Sequence, residues 1–412
     1  MDLIHERAAG MDISKRDVKV AVRVPGKRSG TFSTRVSTWG STVAQITELI
    51  VFLQQQAVTT VVMEATGDYW KPFYYLMEEQ LPVMLVNAKQ ARNIPGRKTD
   101  VSDAAWLAQL GAHGLLRASF VPPAPIRELR DLTRARRQAA TDRTRIVQRL
   151  EKFLESTGIK LSSVVSDLTG VSSRAMLNAL VAGERDPQVL ASYAKGSLST
   201  KTRQLVEALR ASRFNDHHAF MIGELLTQLD AADALQDRLD ERIQQVMSPF
   251  RAACDALTTI PGVSDKVAQV ILAETGGDMT VFPTPEQLAS WAGICPGSNE
   301  SAGRVKSTHT RPGNRYLKGA LGTAAMSVVH VNHSYLAAKY RRIAARRGRM
   351  RALVAIEHTI LVACWSMLNT GETWHDLGTD YYSHMNPDKT KNNALRKLRN
   401  LGYTVTLTPA AA

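Results

Sequence analysis

No aspartate or glutamate occurs between Ser301 and Ile356, although twelve Lys or Arg residues do. A run of that sign repels itself unless something anionic lies against it, and the obvious anion is a phosphodiester backbone. Cysteine is scarce as well: Cys254, Cys295 and Cys364 are odd in number and far apart. That excludes a disulfide framework and a cysteine-based zinc site, and fits reduced, buried thiols in a cytoplasm. Long apolar runs are missing. The longest, near Thr359–Leu368, is far too short to cross a bilayer. The start, MDLIHERAAG, is charged and has no signal-peptide core, so no membrane partner is expected. Aromatics make up only 6% of the chain, which argues against base stacking as the dominant mode of nucleic-acid recognition.

What is present is core-forming material and positive charge. A chain of 412 residues with 44% hydrophobic content has enough for two or three packed domains. A formal net charge of +14 and a pI near 9.8 favour nucleic acid as the partner.

The first part of the chain, residues 1–125, alternates strand and helix signals. Gly10–Ser14, Val18–Val24 and Thr31–Thr38 read as three strands joined by short connections, hence antiparallel. A helix over Ser41–Gln56, capped by Ser41 or Thr42, precedes the continuous apolar strand Thr59–Met63. A helix at Tyr69–Gln80, a buried strand at Pro82–Val86 and a helix at Ser102–Gly111 follow. Three strands and then helix–strand–helix–strand–helix is the order of an α/β RNase H-like, or RuvC-like, fold.

Residues 126–249 read as a helical region. Ile126–Glu155 is Arg-rich and free of Gly and Pro, as expected of one long helix. Leu225, Leu229, Ala232, Gln236, Leu239, Ile243 and Val246 recur at three- and four-residue steps, the spacing of a coiled-coil seam. Such an arm is expected to mediate self-association, making 126–249 a coiled-coil oligomerisation region, with packing inside one bundle as the plainer alternative. Residues 250–385 form a mainly α domain. It opens on Thr258–Glu274, which reads as a helix-hairpin-helix-like element presenting backbone N–H groups to phosphate, or equally as a helix–turn–helix packing unit. Further helices are expected at Met326–Tyr340 and Arg351–Leu368. The basic tail, 386–412, ends in an amphipathic helix and a short strand over Asn393–Leu407.

Four acidic residues stand out. Asp12 follows a Gly-Met pair at the end of the first strand, and Glu64 ends the apolar strand. Asp100 and Asp103 lie three apart, on one side of the helix that starts there. Carboxylates on adjacent central strands and one nearby helix converge at a sheet edge. Hard oxygen ligands of this kind suit magnesium, and a pair of ions would clamp the attacking and leaving oxygens of a phosphodiester. Singly, each has a plainer role: Asp12 as a turn residue, Glu64 as a solvated strand end, Asp100 as a helix cap.

The phrases GMDISKRDVKVAV, MEATGDYW, LVNAKQARNI and RKTDVSDAAWLAQL resemble the four blocks of the RuvC-like domain of DEDD transposases, the recombinases of insertion-sequence family one-ten. The resemblance continues through GVSSRAMLNALVAGERDP, IPGVSDKVAQVILAE, LASWAGICPGSNESAGR, TRPGNRYLKGAL and ALVAIEHTILVACWSML, and so covers nearly the whole chain in order. Ala302 stands where the family usually has Gly, and Ala88 where it often has Pro.

The resemblance implies a DNA recombinase of a bacterial mobile element. Its four acids, here Asp12, Glu64, Asp100 and Asp103, bind Mg2+, with Mn2+ as a substitute. A serine, here Ser301 five residues after Pro296, joins DNA through a phosphoserine bond. The implied partners are donor and target DNA, a structured non-coding guide (bridge) RNA, and further copies of the chain in a tetramer, a dimer of dimers, with a composite site. The implied location is cytoplasmic, at the nucleoid.

By chemistry alone, Ser301 is a poor nucleophile that needs a base, a metal or a charged environment. Alone, it reads as a loop serine; with the resemblance, as the nucleophile. Arg304, Lys306 and Arg311 are placed to stabilise phosphoryl charge. Arg315 and Lys318, on the helix after the Gly313–Asn314 turn, and Arg346, Arg347 and Arg349 are candidate phosphate contacts. Two other readings stay open: a RuvC-type metal nuclease hydrolysing branched DNA with Ser301 merely structural, and a non-catalytic nucleic-acid-binding scaffold.

Overall fold

The computed structural model describes residues 3–65, 67–88, 91, 94, 102–297 and 299–407. The chain divides into two compact units, Met1–Val121 and Pro122–Ala412.

The first unit is built on a five-stranded sheet of β1 (Ala8–Ile13), β2 (Asp17–Pro25), β3 (Phe32–Gly40), β4 (Thr60–Glu64) and β5 (Val83–Val86). The strand order is β3-β2-β1-β4-β5. β1, β2 and β3 pair antiparallel; β4 runs parallel to both β1 and β5. This is the RNase H-like arrangement expected from the order of elements. Among the described residues it carries the helices α1 (Val43–Gln55), α2 (Trp70–Met77) and α3 (Asp103–Ala112).

Strand alternation sorts the sheet into two faces. Met11, Val20, Val61 and Met63 pack with Ile46, Leu49, Leu53, Phe73 and Met77 of α1 and α2. On the other face Val62 packs with Trp106, Leu107 and Leu110 of α3, and Ala21 with Ala104 and Ala108. Gly10 explains how closely α3 approaches. A Cβ there would lie 2.1 Å from the Ala104 carbonyl and 2.4 Å from the Ala108 nitrogen. Ile4 donates to the Ala112 carbonyl at 2.9 Å. Helix α3 therefore runs antiparallel to β1, with its first residue near the strand's C-terminal end.

Among the described residues the second unit is helical apart from one hairpin and the bridge at its base. α4 (Ala124–Ser156) is a single 33-residue helix. α5 (Val171–Val181) and two short helices, α6 (Pro187–Ser192) and α7 (Thr202–Ala208), lead to α8 (Asp216–Val246). An Asn215–His218 capping box opens α8. α4 and α8 pair antiparallel. Arg136 meets Asp240 at 2.9 Å, Arg143 meets Asp233, and Arg149 meets Gln228 at 3.3 Å. Leu225 and Leu229 are buried in one core with Leu150 and Leu154 of α4. The first positions of the three–four seam thus pack on the chain's own α4, while Gln236, Leu239 and Val246 further along are half-buried.

Next come α9 (Arg251–Thr258), α10 (Asp265–Thr275) and α11 (Pro285–Ala292). The turn between α9 and α10 is packed rather than open. Gly262 has φ +88°, and a Cβ on it would meet the Ala324 carbonyl at 2.5 Å. Ser264 caps α10 by accepting from the Val267 N–H. Those contacts are those of a helix–turn–helix packing unit.

Strands β6 (Asn299–Ser301) and β7 (Arg304–Ser307) form the hairpin. They are followed by α12 (Arg315–Val328), α13 (Tyr335–Arg347) and α14 (Arg349–Thr370). The continuous helix expected over Met326–Tyr340 is in fact two. Ser334 caps α13 by accepting from the Ala337 N–H at 3.1 Å, and His333 takes a positive φ of 63°. α14 is long and apolar enough to cross a membrane, but Ala352, Ile356, Ile360, Leu361, Cys364 and Met367 are buried in the helical unit. The tail carries α15 (Tyr381–Met385) and α16 (Pro387–Asn400), which has no buried residue. No strand follows α16 among the described residues; Leu401–Leu407 lack a neighbouring edge to pair with.

Candidate active site

Three of the four expected acids are described, and the sheet explains their positions. Met11 is in register with Met63 between parallel β1 and β4. Asp12 and Glu64 each come one residue later, so they lie side by side at the C-terminal ends of adjacent strands. By the two-residue period, Asp12 shares the face of Gly10 and Glu64 that of Val62, which is the α3 face. Asp103 is the first residue of α3, at the same end. Asp100 lies outside the described residues. α3 starts at Asp103 behind the Ser102 cap, whose hydroxyl accepts from the Ala105 N–H at 3.3 Å.

The donors are all carboxylates, which fits a hard divalent cation. Among the described residues no three acidic, His or Cys side chains already close around one point. Lys19 is the register partner of Asp12 on β2, so a cation stands on the strand next to the acids; its position is legible only once β1 and β2 are paired.

The serine sits in a different setting. Ser301 pairs with Arg304 across a two-residue turn, Ala302–Gly303. Both turn residues have positive φ, +50° and +75°, the type I′ geometry that matches the twist of a hairpin. Pro296 bridges Thr310, and the Gly297 N–H donates to the His309 carbonyl at 2.9 Å, closing the base. Cross-strand partners share a face and alternate residues share a face. Ser301 and Arg304 therefore project from one side of the hairpin, and both are exposed; the register shifts between Asn299 and Glu300, leaving Lys306, also exposed, without a register partner. Ser307 plays a different part, its hydroxyl accepting from the His309 N–H at 3.2 Å.

The type I′ turn makes Ala302 testable. An Ala in the left-handed region carries about 1 kcal/mol of strain. Ala302→Gly removes it at an unfolded-chain entropy cost of about 0.4–1 kcal/mol, so the hairpin is expected to be unchanged or slightly firmer. Ala302→Val forces a β-branched residue to positive φ. It should open the hairpin by roughly 1–2 kcal/mol, seen as faster amide exchange across Ser301–Ser307 with an unchanged global melting temperature.

The other basic candidates divide by what they touch. Arg311 donates to the Ser290 hydroxyl at 2.8 Å, and Lys318 to the Thr310 hydroxyl at 3.1 Å. Both brace the base of the hairpin. Arg315 lies over the Tyr316 ring, 4.8 Å from its centroid. Arg346 and Arg347 end α13 and Arg349 begins α14, all exposed. That junction gathers guanidinium groups in solvent.

Two groups escape sequence reasoning. Glu357, on α14, has its carboxyl pushed up by burial, partly offset by Lys318. Glu274, on α10, is fully buried. It accepts two hydrogen bonds from Arg134 at 2.8 Å each and one from Asn314 at 2.6 Å. Its partners lie 140 and 40 residues away, beyond the reach of any local pattern. Of the three free cysteines Cys254 and Cys364 are buried, as expected, and burial pushes the Cys364 thiol up to about 12, whereas Cys295 is half-buried.

An RNase H-like carboxylate edge in one unit and an exposed serine with two cations in another are the parts of a polynucleotide-processing protein. Comparison with known proteins narrows the class. A family model for IS110-type DEDD transposases, described as "Transposase", matches residues 9–159. Another, described as "Transposase IS116/IS110/IS902 family", matches residues 254–341. The chain is 28% identical over 152 residues to the insertion element IS110 uncharacterized 43.6 kDa protein of Streptomyces coelicolor, covering 37% of each. It is 26% identical over 302 residues to the insertion element IS900 uncharacterized 42 kDa protein of Mycobacterium paratuberculosis, covering 68% of this chain and 74% of that one. A putative transposase, y4pF/y4sB, of Sinorhizobium fredii is 22% identical over 333 residues, covering 79% and 77%. The chain belongs to the IS110 family of transposases, a DEDD family whose chemistry implies a divalent metal.

Proposed function

We propose that this transposase cuts and rejoins DNA through a 5′-phosphoserine at Ser301, directed by a structured guide RNA. The observation that carries the reading is the hairpin face on which Ser301 and Arg304 project together into solvent, with Lys306 exposed two residues further along β7. A hydroxyl beside Arg304, on the face opposite Glu300 and followed by a run without acids, suits approach to a phosphodiester.

In the proposed step the Ser301 oxygen attacks phosphorus. The Oγ–P bond forms, the bond from phosphorus to the 3′ oxygen breaks, and the 5′ phosphate stays on the protein. The hydroxyl proton passes to solvent and the departing 3′ oxygen takes one up. Attack by another strand's 3′ hydroxyl reverses the sequence, releasing serine and a rejoined strand. Arg304 and Lys306 stabilise the phosphorane charge. Asp12, Glu64, Asp100 and Asp103 would hold Mg2+, or Mn2+, which neutralises phosphate oxygens. The exposed cations at the α13–α14 junction suit backbone contacts to DNA or RNA.

Guide RNA and a tetrameric assembly follow from the family resemblance. The test combines the purified protein, Mg2+, element-end and target DNA, and RNA transcribed from the DNA flanking the gene. Recombinant product and serine-linked DNA are expected only when the RNA is present. Equal product without RNA means a protein-only mechanism. Metal-dependent hydrolysis with no adduct means a RuvC-type nuclease, the alternative that the sheet alone favours.

A further inference from the structure

We propose that Arg134, Glu274 and Asn314 form a clamp through which α4 sets the position of the Ser301 hairpin, making them positioning residues for strand cleavage. The proposal rests on the reading of Ser301 as the nucleophile. α4 is the helix that follows directly on the carboxylate-bearing unit in sequence, and its residues 130–137 grip the chain where the hairpin returns to the helical core.

The contacts run in series. Arg134 forks onto both oxygens of Glu274. Arg130 secures the end of α10, donating to the Ala273 carbonyl at 3.0 Å and the Glu274 carbonyl at 2.8 Å. Asn314 donates to Glu274 through Nδ2, while its oxygen accepts from the Tyr316 and Leu317 N–H groups at 3.0 and 3.1 Å. Arg134 also lies over the Tyr316 ring at 4.4 Å, and Arg137 donates to the Arg315 carbonyl at 3.2 Å. Thus α4 holds Asn314, Arg315 and Tyr316, and Thr310, four residues before Asn314, closes the hairpin against Pro296.

Stability alone does not call for this arrangement. A buried, fully paired carboxylate contributes little net stability compared with apolar packing of the same volume. What it provides is geometry, because a forked Arg–carboxylate pair fixes direction as well as distance. Asn314 caps α12 with its oxygen alone, so its amide is the part that links the cap to α4. Reacting groups must be placed to a fraction of an ångström, and a misplacement of about 1 Å costs on the order of 100-fold in rate.

Asn314→Ser separates capping from clamping. Serine caps a helix about as well as asparagine but is too short to reach Glu274. In the full-length protein with its DNA, we expect Asn314→Ser to remain folded, with a melting temperature lowered by only about a few degrees because the Arg134 fork still pairs Glu274. The DNA concentration for half-maximal rate should hold within about twofold, and the adduct-forming rate should fall by about tenfold or more. Amide exchange over residues 297–310 should accelerate, a readout that needs no activity. Glu274→Gln, which turns one acceptor into a donor facing Asn314, should behave alike if it folds. Wild-type exchange and rate in Asn314→Ser would overturn the clamp. If the wild type forms no Ser301 adduct, the nucleophile reading fails, and exchange alone then decides whether the clamp orders the hairpin.

Discussion

Ser301→Ala is expected to abolish the covalent protein–DNA adduct and to lower strand joining by on the order of 10⁴-fold or more, the usual scale for losing a nucleophile. The fold should not notice. The Ser301 hydroxyl makes no hydrogen bond among the described residues, it is exposed, and alanine fits the last position of β6. Melting temperature and DNA affinity should therefore match the wild type, which separates this loss from unfolding. Ser307→Ala is the matched control: its hydroxyl is spent on the His309 N–H, so the adduct should persist. The measurement is a denaturing gel with end-labelled DNA, read for label that migrates with protein. Metal-dependent cleavage undiminished in Ser301→Ala would sink the phosphoserine mechanism and leave hydrolysis by the carboxylate site. Ser301→Cys sharpens the result. A thiolate attacks phosphorus less well than an alkoxide but occupies the same position, so a weak adduct there would show that placement survives while chemistry suffers.

The sheet was legible because its signals are local. Thr59–Met63 is a continuous β-branched and apolar run, and such a run is a central strand whatever surrounds it. Asp12 and Glu64 stood out because each is a charged residue at the end of an apolar strand. Other features depended on partners that periodicity does not name. Leu225 and Leu229 announce a seam, but that α4 packs on them follows from the fold, in which Arg136–Asp240 and Arg143–Asp233, pairs about a hundred residues apart, tie the two helices together. The hairpin was missed because NESAGRVKS shows no apolar alternation; its signal is Ala302–Gly303, a turn dipeptide with alanine where glycine would have announced it. The break at His333–Ser334 carries neither Gly nor Pro, and the cap at Ser334 was read as helix interior. The Glu274 clamp joins three distant charges and polar groups, so nothing short of the fold reveals it.

Asp12→Asn is expected to lower adduct formation by on the order of 10³-fold or more, even though Ser301 is untouched. The change is isosteric, and Asp12 is the exposed residue in a strand otherwise buried, so the sheet should fold as before. What it removes is a charged oxygen donor on the edge shared with Glu64 and Asp103, and a hard cation loses affinity with each carboxylate withdrawn. Calorimetric titration with Mn2+ in the absence of DNA should show weaker or absent binding, a readout independent of activity. Glu64→Gln should do the same. Full adduct formation in Asp12→Asn with metal binding lost would mean that the carboxylate edge does not serve the serine, and would favour two unrelated sites. The proposal that these are halves of one site makes a stronger demand. Asp12→Asn and Ser301→Ala proteins, each inactive alone, should regain joining when co-assembled if one subunit's carboxylates serve another subunit's serine. Co-assembly without recovery would confine both halves to the same chain.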